Sequence, residues 1–206
     1  MSEDRRESPL AGFASLGRGR EAGDPGITMT ERPFRGYVNL RGGLADPGLA
    51  EAVGGVLGTD VPLRPNTVAS AGEVLVCWLG PDEWMAVAGP GSEGELIASL
   101  RKALGGRRAA ATDTTGNYTT INLAGSRARD LLAKGCTLDL HPTAFAAGQC
   151  AQTNLAKAAV LLIPRSNDRS FQSFDVVVRR SFADYLAHWL EHSGREYGFE
   201  VAAQEN

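Results

Sequence analysis

The stretch with the highest density of reactive and hydrogen-bonding side chains runs from residue 111 to residue 125 and reads ATDTTGNYTTINLAG. It places one carboxylate, Asp113, five threonines, two asparagines and a tyrosine around Gly116. An active site, a phosphate-binding loop and a polar turn can all have this composition. No His, Lys or second carboxylate of the stretch stands beside Asp113 to tune it as a general base. Asp followed by Thr-Thr-Gly-Asn is typical of an Asx turn, so the sequence favours a turn over catalysis.

The histidines give a weak indication of a metal site. His188 and His192 are four residues apart in a predicted helix, a spacing that suits two ligands of one zinc ion. Trp189 occupies the position where an HExxH motif has its Glu, and solvated helix histidines are therefore expected. His141 precedes Pro142 in a predicted loop and has no visible nucleophile to pair with.

The cysteines and glycines lack the spacing of known catalytic or cofactor motifs. Cys77, Cys136 and Cys150 are far apart and form no CxxC pair, which predicts buried free thiols rather than metal or redox chemistry. Neither GxGxxG nor GxxxxGK[ST] occurs among the 25 glycines. We therefore predict no catalytic, no cofactor-binding and no metal-binding residue in this chain.

Composition excludes several classes of partner. The net charge of −3, without a long basic block, gives little electrostatic support for nucleic-acid binding. No apolar run approaches the roughly 20 residues that a membrane-spanning helix needs. The first residues, MSEDRRESPLAGF, contain no apolar stretch of signal-peptide length, so we expect a cytoplasmic protein.

The elements that would position these residues occur in the same order twice. A strand, a helix, a hairpin with a further strand and a capped helix are predicted from residue 34 to 113 and again from 114 to 206. NLRG at 39–42 corresponds to NLAG at 122–125, each just before a helix. The sequence thus predicts an α+β fold of two related β-α-β-β-β-α modules that form one compact unit.

Several positions within the modules are predicted individually. Asp46 is expected to cap a helix that Pro47 starts and Gly58 ends. Trp84 is expected to be buried in a strand. Capping boxes are expected at Ser92 with Glu95 and at Ser181 with Asp184, the second opening the final helix. That helix is expected to bury one set of apolar side chains: Phe182, Tyr185, Leu186, Trp189 and Leu190.

Residues 1–33 mix charged residues with Gly, Ser and Pro and predict a flexible N-terminal arm. Pro9, Leu10 and Phe13 form a small apolar group beside Arg5 and Arg6. We expect this group to order only against a partner.

Several motifs together resemble the gamma subunit of heterotetrameric sarcosine oxidase. They span most of the chain from Arg35 onward, with SPL before it. The sequences that carry the resemblance are SPLAGF, LGPDEWMAVAG, TDTTGNYTTINLAGSRARDLLAKGCTLDL, FAAGQCAQT and RRSFADYLAHWL.

The resemblance implies a fold like that of the folate-binding aminomethyltransferases. It also implies membership of a flavin-dependent oxidoreductase, acting on CH–NH donors, that converts sarcosine to glycine. Hydrogen peroxide would be a product, together with formaldehyde or 5,10-methylenetetrahydrofolate. FAD, FMN, NAD, tetrahydrofolate and zinc would be bound by the alpha, beta and delta subunits. The gamma subunit would be an accessory, non-catalytic partner.

The chain departs from a related branch of this fold, the folate-dependent proteins of iron–sulfur cluster maintenance. Their motif has the form KGCYxGQE, whereas Lys134-Gly135-Cys136 is followed here by TLDL, and Gly148-Gln149 comes later. An alternative function is a free-standing folate-binding one-carbon transferase-like protein, in which Asp113 and Tyr118 would face a pterin. Binding of tetrahydrofolate by the isolated chain would distinguish the two.

Overall fold

The structure is a computed structural model that describes residues 6–14, 25–43, 46–166, 168 and 170–203. The chain folds into two compact units. The central unit comprises Arg35–Tyr118 and Gly148–Ala151, and the terminal unit comprises Met1–Phe34, Thr119–Ala147 and Gln152–Asn206. Among the described residues, no helix combines the length and hydropathy needed to cross a membrane.

The central unit is a five-stranded sheet with two helices. Its strands follow the order β3-β4-β5-β2-β6 across the sheet. In chain order the elements are β2 (Arg35–Gly42), α2 (Pro47–Leu57), β3 (Val68–Ala71), β4 (Val74–Gly80), β5 (Glu83–Pro90), α3 (Glu93–Leu104) and β6 (Ala109–Asp113). A 3-10 turn, Thr115–Asn117, follows β6.

The terminal unit is a six-stranded sheet in the order β11-β1-β7-β10-β9-β8. Its elements are α1 (Ala11–Ala14), β1 (Ile27–Arg32), β7 (Tyr118–Gly125), α4 (Ala128–Ala133), β8 (Ala151–Leu155), β9 (Ala158–Pro164), β10 (Gln172–Arg179), α5 (Arg180–Gly194), a 3-10 turn (Arg195–Tyr197) and β11 (Phe199–Val201).

The predicted α+β repeat is confirmed by the element order and the strand order together. Both β2-α2-β3-β4-β5-α3 and β7-α4-β8-β9-β10-α5 follow the series β-α-β-β-β-α. The strands have equivalent places in the two sheets, β3-β4-β5-β2 in one and β8-β9-β10-β7 in the other. Beyond this shared part, β6 pairs antiparallel with β2, and β1 pairs antiparallel with β7.

Two glycines in equivalent positions support the repeat at atomic detail. Gly42 and Gly125 end the NLRG and NLAG sequences and have φ angles of 141° and 131°. A Cβ on Gly42 would lie 2.7 Å from the Cα of Ala109, and one on Gly125 would lie 2.3 Å from the carbonyl oxygen of Gly26. Each glycine therefore permits the close approach of the extra strand, β6 or β1.

The structure differs from the expected arm over residues 1–33. Residues 27–32 form β1, which lies between β11 and β7 inside the terminal sheet. The ITMTER sequence alternates, with Ile27, Met29 and Glu31 on one face. The opposite face carries Thr28, Thr30 and Arg32, and the inward face ends in the charged Glu31. Only two apolar residues therefore mark this strand in the sequence, too few for a clear alternation.

The SPL segment also packs on its own unit. Leu10 and Phe13 are buried, and the Phe13 ring meets the imidazole of His188 edge-on at a centroid distance of 5.0 Å. The guanidinium of Arg180 donates to the carbonyl oxygen of Glu7. This apolar group is therefore ordered within the chain itself, contrary to the expectation that it needs a partner. Arg5 and the segment that follows α1, residues 15–24, lie outside the described residues.

Helix starts agree with the sequence in one case and differ in two. Asp46 accepts a hydrogen bond from the Gly48 amide at 2.9 Å, and Gly58 ends α2 in the left-handed region, as predicted. Ser92 occupies the N-cap position of α3 as predicted, but its side chain makes no capping hydrogen bond, and its hydroxyl donates to the carbonyl of Gly89. Helix α5 begins at Arg180 without a side-chain cap, so Ser181 lies inside its first turn.

The buried face of α5 agrees with the prediction at Leu186 and Leu190 and differs at the aromatic residues. The side of α5 that faces inward consists of Ala183, Leu186, Ala187, Leu190 and Gly194. Phe182 and Tyr185 are instead 43% and 38% exposed. The prediction followed side-chain size, whereas small residues at this face allow the helix to approach the sheet closely. Trp84 is buried as predicted, and its indole Nε1 donates to the carbonyl of Pro62 at 2.7 Å.

Candidate functional site

The Thr-rich stretch forms the passage from β6 to β7, and its first part is a turn fastened to β2. The Asp113 carboxylate is exposed and accepts a hydrogen bond from the Thr115 amide at 2.9 Å, which is the predicted Asx turn. The amide of Tyr37 donates to the Thr115 hydroxyl, and the Thr114 hydroxyl donates to the Tyr37 carbonyl. These side chains hold backbone groups in place, which is a structural role.

The histidines are dispersed over the surface of the terminal unit. His188 and His192 are exposed on α5, and Nδ1 of His188 lies 2.9 Å from the Asp184 carbonyl oxygen. His141 is exposed in the loop after α4, with Nδ1 2.7 Å from the Thr143 hydroxyl. Across the part of the chain that the structure describes, no group of three His, Cys, Asp or Glu residues could hold a metal ion.

The Lys-Gly-Cys sequence after α4 is divided between surface and interior. The ammonium of Lys134 pairs with the Glu196 carboxylate and lies 4.4 Å from the centre of the Tyr197 ring. The hydrogen bond to Glu196 raises the pKa of Lys134 and keeps the ammonium charged. Cys136 is buried, with Sγ 3.8 Å from the Thr153 hydroxyl. The two side chains therefore have separate environments and do not form one reactive group.

One face of the terminal sheet carries a buried carboxylate held by two arginines. Asp175 on β10 is 3% exposed. Its oxygens lie 2.9 Å from Nη1 of Arg32 and 3.3 Å from Nε of Arg165, and the Asn122 amide donates to it at 2.8 Å. Burying a charge without partners is costly, and these three partners offset that cost. With both oxygens engaged, this carboxylate is poorly placed to act as a base.

The opposite face of the same sheet has a second buried carboxylate. Glu31 on β1 is 4% exposed and accepts a hydrogen bond from the Thr119 hydroxyl at 2.7 Å. The hydroxyl of Ser8 also donates to it. The Leu10 amide donates to the Ser8 oxygen at 3.0 Å, so Ser8 connects the N-terminal segment to the sheet. The sequence did not reveal this contact because it joins residues in different elements.

The repeat extends to this polar chemistry. In the central unit, Asn39 occupies the position in β2 that Asn122 occupies in β7, and its amide donates to Glu83 on the neighbouring strand at 2.8 Å. Arg41 pairs with the same carboxylate at 2.7 Å. Here Glu83 and Arg41 are partly solvent-exposed, whereas Asp175 is buried. Each module thus has an Asn amide that donates to a carboxylate which also pairs with Arg, but Arg41 lies on β2 itself, whereas Arg32 lies on β1, outside the repeated series.

Helix α5 presents two exposed aromatic residues, Phe182 and Tyr185, and the half-buried Trp189 on one side. Phe182, Tyr185 and Trp189 stand at positions i, i+3 and i+7, which places them along one side of the helix. We call these three residues the α5 stripe. Trp189 is half-buried against Gly135, where a Cβ would lie 2.6 Å from the indole Cη2. Exposed aromatic residues are common at protein–protein interfaces, so this surface suits contact with another protein.

Comparison with known proteins identifies the group to which the sequence is related. Residues 41–196 match the model of the sarcosine oxidase, gamma subunit family. The sarcosine oxidase subunit gamma of an Arthrobacter species is 36% identical, with 98% of this chain and 96% of the relative covered. The same subunit of Corynebacterium sp. strain P-1 is 36% identical, with coverages of 96% and 94%.

Solved structures agree with the sequence relatives. A chain of the heterotetrameric sarcosine oxidase from Corynebacterium sp. U-96, in complex with pyrrole 2-carboxylate, matches with a TM-score of 0.82 and 29% identity. That match covers 93% of this chain and 96% of the other. Glycine cleavage system aminomethyltransferase T from Bartonella henselae matches with a TM-score of 0.67 and 16% identity, over 95% of this chain and 58% of the other, and shows a shared fold.

Proposed function

The chain belongs to the sarcosine oxidase gamma subunit family, and from that premise we propose that it is an accessory subunit of a heterotetrameric sarcosine oxidase. The observation that carries the proposal is the 36% identity to a gamma subunit over 98% of this chain. The complex would oxidise sarcosine to glycine, with hydrogen peroxide and either formaldehyde or 5,10-methylenetetrahydrofolate as products.

We propose further that the chain itself is non-catalytic and resides in the cytoplasm. The alpha, beta and delta subunits would bind FAD, FMN, NAD, tetrahydrofolate and zinc. The buried carboxylates support a structural role for this chain. Asp175 is held by two arginines, and Glu31 accepts hydrogen bonds from two hydroxyls. These contacts stabilise the sheet and leave neither carboxylate placed as a base.

The α5 stripe is the surface that we propose contacts another subunit. Phe182 and Tyr185 present large apolar area to solvent in the isolated chain. Aromatic residues of this kind provide much of the binding energy at interfaces. Burial by another subunit would remove this area from water and favour assembly.

The test is co-purification of this chain with tagged partner subunits of the same complex. The unmodified chain should be retained through gel filtration, while the double variant Phe182→Ser, Tyr185→Ser should bind at least about tenfold more weakly, equivalent to roughly 1.4 kcal/mol. Phe171→Ser is the matched control, since Phe171 is 57% exposed and lies outside α5. This control should be retained like the unmodified chain.

The outcomes distinguish failure of the proposed function from failure of the proposed contact surface on α5. Failure of the unmodified chain to co-purify, or peroxide formation from sarcosine by the isolated chain, would overturn the proposed function. Normal retention of the double variant would instead move the contact away from α5. Titration of the isolated chain with tetrahydrofolate should show no binding, and saturable binding would favour the folate-binding transferase alternative.

A further inference from the structure

Two of the three free cysteines meet in the central unit although they are far apart in the chain. Cys77 lies in the middle of β4, and Cys150 lies in the short segment 148–151 that the chain contributes after its passage through the terminal unit. Both side chains are fully buried. The Cys77 thiol hydrogen-bonds to the Cys150 sulfur. Sγ of Cys150 also lies 3.5 Å from the carbonyl oxygen of Trp78, the residue after Cys77.

The backbone holds Cys150 in this position by pairing with the start of β3. The Cys150 amide donates to the Asn66 carbonyl at 2.9 Å, and the Val68 amide donates to the Gly148 carbonyl at 2.9 Å. Thr67 and Gln149 form an antiparallel bridge between these two bonds. Val68 in turn pairs with Cys77, so the start of β3 pairs with both the segment 148–151 and β4. The Cys150 side chain reaches β4 from there, with Sγ 3.6 Å from the Thr67 carbonyl oxygen and 3.5 Å from that of Trp78.

We propose that Cys77 and Cys150 are a dithiol site that a hydroperoxide converts into an intramolecular disulfide. The Cys150 thiolate attacks one peroxide oxygen, the O–O bond breaks, and Cys150 becomes a sulfenic acid as the peroxide is reduced. The Cys77 sulfur then displaces the sulfenic oxygen, forming the S–S bond and releasing water. In total, two thiols and one hydrogen peroxide give one disulfide and two waters.

The surroundings favour Cys150 as the first sulfur to react. The hydrogen bond with Cys77 lowers the pKa of Cys150, while burial opposes this shift. Access to the buried pair requires opening of the segment 148–151, which a few backbone hydrogen bonds and the isolated bridge hold. The resulting disulfide would fasten that segment to β4.

The experiment counts thiols in the complete folded chain before and after exposure to hydrogen peroxide. The protein is then unfolded, alkylated and mapped by mass spectrometry of its peptides. The three free thiols should fall to one, and a single cross-linked peptide should join Cys77 to Cys150. The thermal unfolding midpoint of the oxidised chain should be higher than that of the reduced chain, since the bond closes a long loop.

Three variants make the test specific. Cys136→Ala should retain the reaction and lose both of its remaining thiols, because Cys136 lies in the terminal unit. Cys77→Ala should form no intramolecular disulfide and should accumulate a sulfenic acid on Cys150 that dimedone traps. Cys150→Ala should leave Cys77 unreacted. A disulfide that includes Cys136, or three intact thiols in unmodified protein under conditions that oxidise its unfolded form, would overturn the proposal.

Discussion

At the scale of single residues, the N-terminal segment is held by one hydroxyl with two functions. The Ser8 hydroxyl donates to the buried Glu31 carboxylate, and its oxygen accepts from the Leu10 amide. Leu10 itself is buried. The serine therefore couples a buried charge to the position of a buried apolar side chain.

Replacement of Ser8 by Ala should lower the free energy of unfolding by about 1–3 kcal/mol, because a buried hydrogen bond to a charged group is lost. Denaturant unfolding measures the effect. Ser170→Ala provides the matched control, since the Ser170 hydroxyl makes an exposed hydrogen bond to Asp168. The control should change stability by less than about 0.5 kcal/mol. Equal effects of the two variants would remove the special role of Ser8.

Residue-scale prediction from the sequence succeeds where local pattern decides the environment. Trp84 shares its side of the strand with Ala86 and Ala88, small buried residues that leave room for the ring, and its burial follows from that local pattern. The Asx turn at Asp113 likewise depends only on its neighbours. The partners of Asp175 come from three different strands or strand ends, so they could not be inferred before the strand order was known.

At the scale of elements, β1 connects the N-terminal part of the chain to the sheet of the terminal unit. It pairs antiparallel with β7 and parallel with β11, and at Thr28 and Met29 it has a strand neighbour on each side. Ile27 and Met29 fill the core side of the strand. The repeated β-α-β-β-β-α series was predictable from local periodicity, whereas β1 and β11 depend on partners far away in the chain.

Two truncations should differ in severity. Deletion of residues 1–14 removes the burial of Leu10 and Phe13 and the Ser8 contact, and should lower the thermal midpoint while leaving a cooperative transition. Deletion of residues 1–33 also removes β1, leaves β7 and β11 without their shared neighbour, and should abolish cooperative unfolding. Circular dichroism during heating measures both. Retained stability after the longer deletion would show that the sheet does not need β1.

At the scale of the whole molecule, neither unit is a continuous piece of chain. The backbone passes between the units after Phe34, after Tyr118, after Ala147 and after Ala151. The sequence repeat predicts a single division near residue 113, because the repeated elements are contiguous. The additional exchanges arise from β1 and from the segment 148–151, which lie outside the similarity between the halves.

The fragment of residues 114–206 should consequently fail to fold by itself. It contains β7 but lacks β1, so one edge of β7 would be exposed, and it lacks the Arg32 partner of Asp175. Addition of residues 25–34 through a flexible linker should recover part of the NMR spectrum of the folded unit, because this segment restores both the β1 strand and Arg32. Dispersion of amide resonances in solution NMR measures folding. A well-dispersed spectrum for the unextended fragment would contradict this expectation.

The position of β1 has a consequence for the order in which a ribosome produces this protein. β1 emerges among the first segments, yet its neighbours β7 and β11 emerge much later, and Ile27 is paired with Phe199 near the other end of the chain. The nascent strand therefore waits unpaired until β7 has been made, and its other side waits until β11 has been made. Glu31 and Arg32 place charges of both signs at its end, which discourages pairing with other nascent chains during that interval. Completion of the terminal sheet is thus delayed until β11 has been made, and the long separation of its strands makes this the slow part of folding.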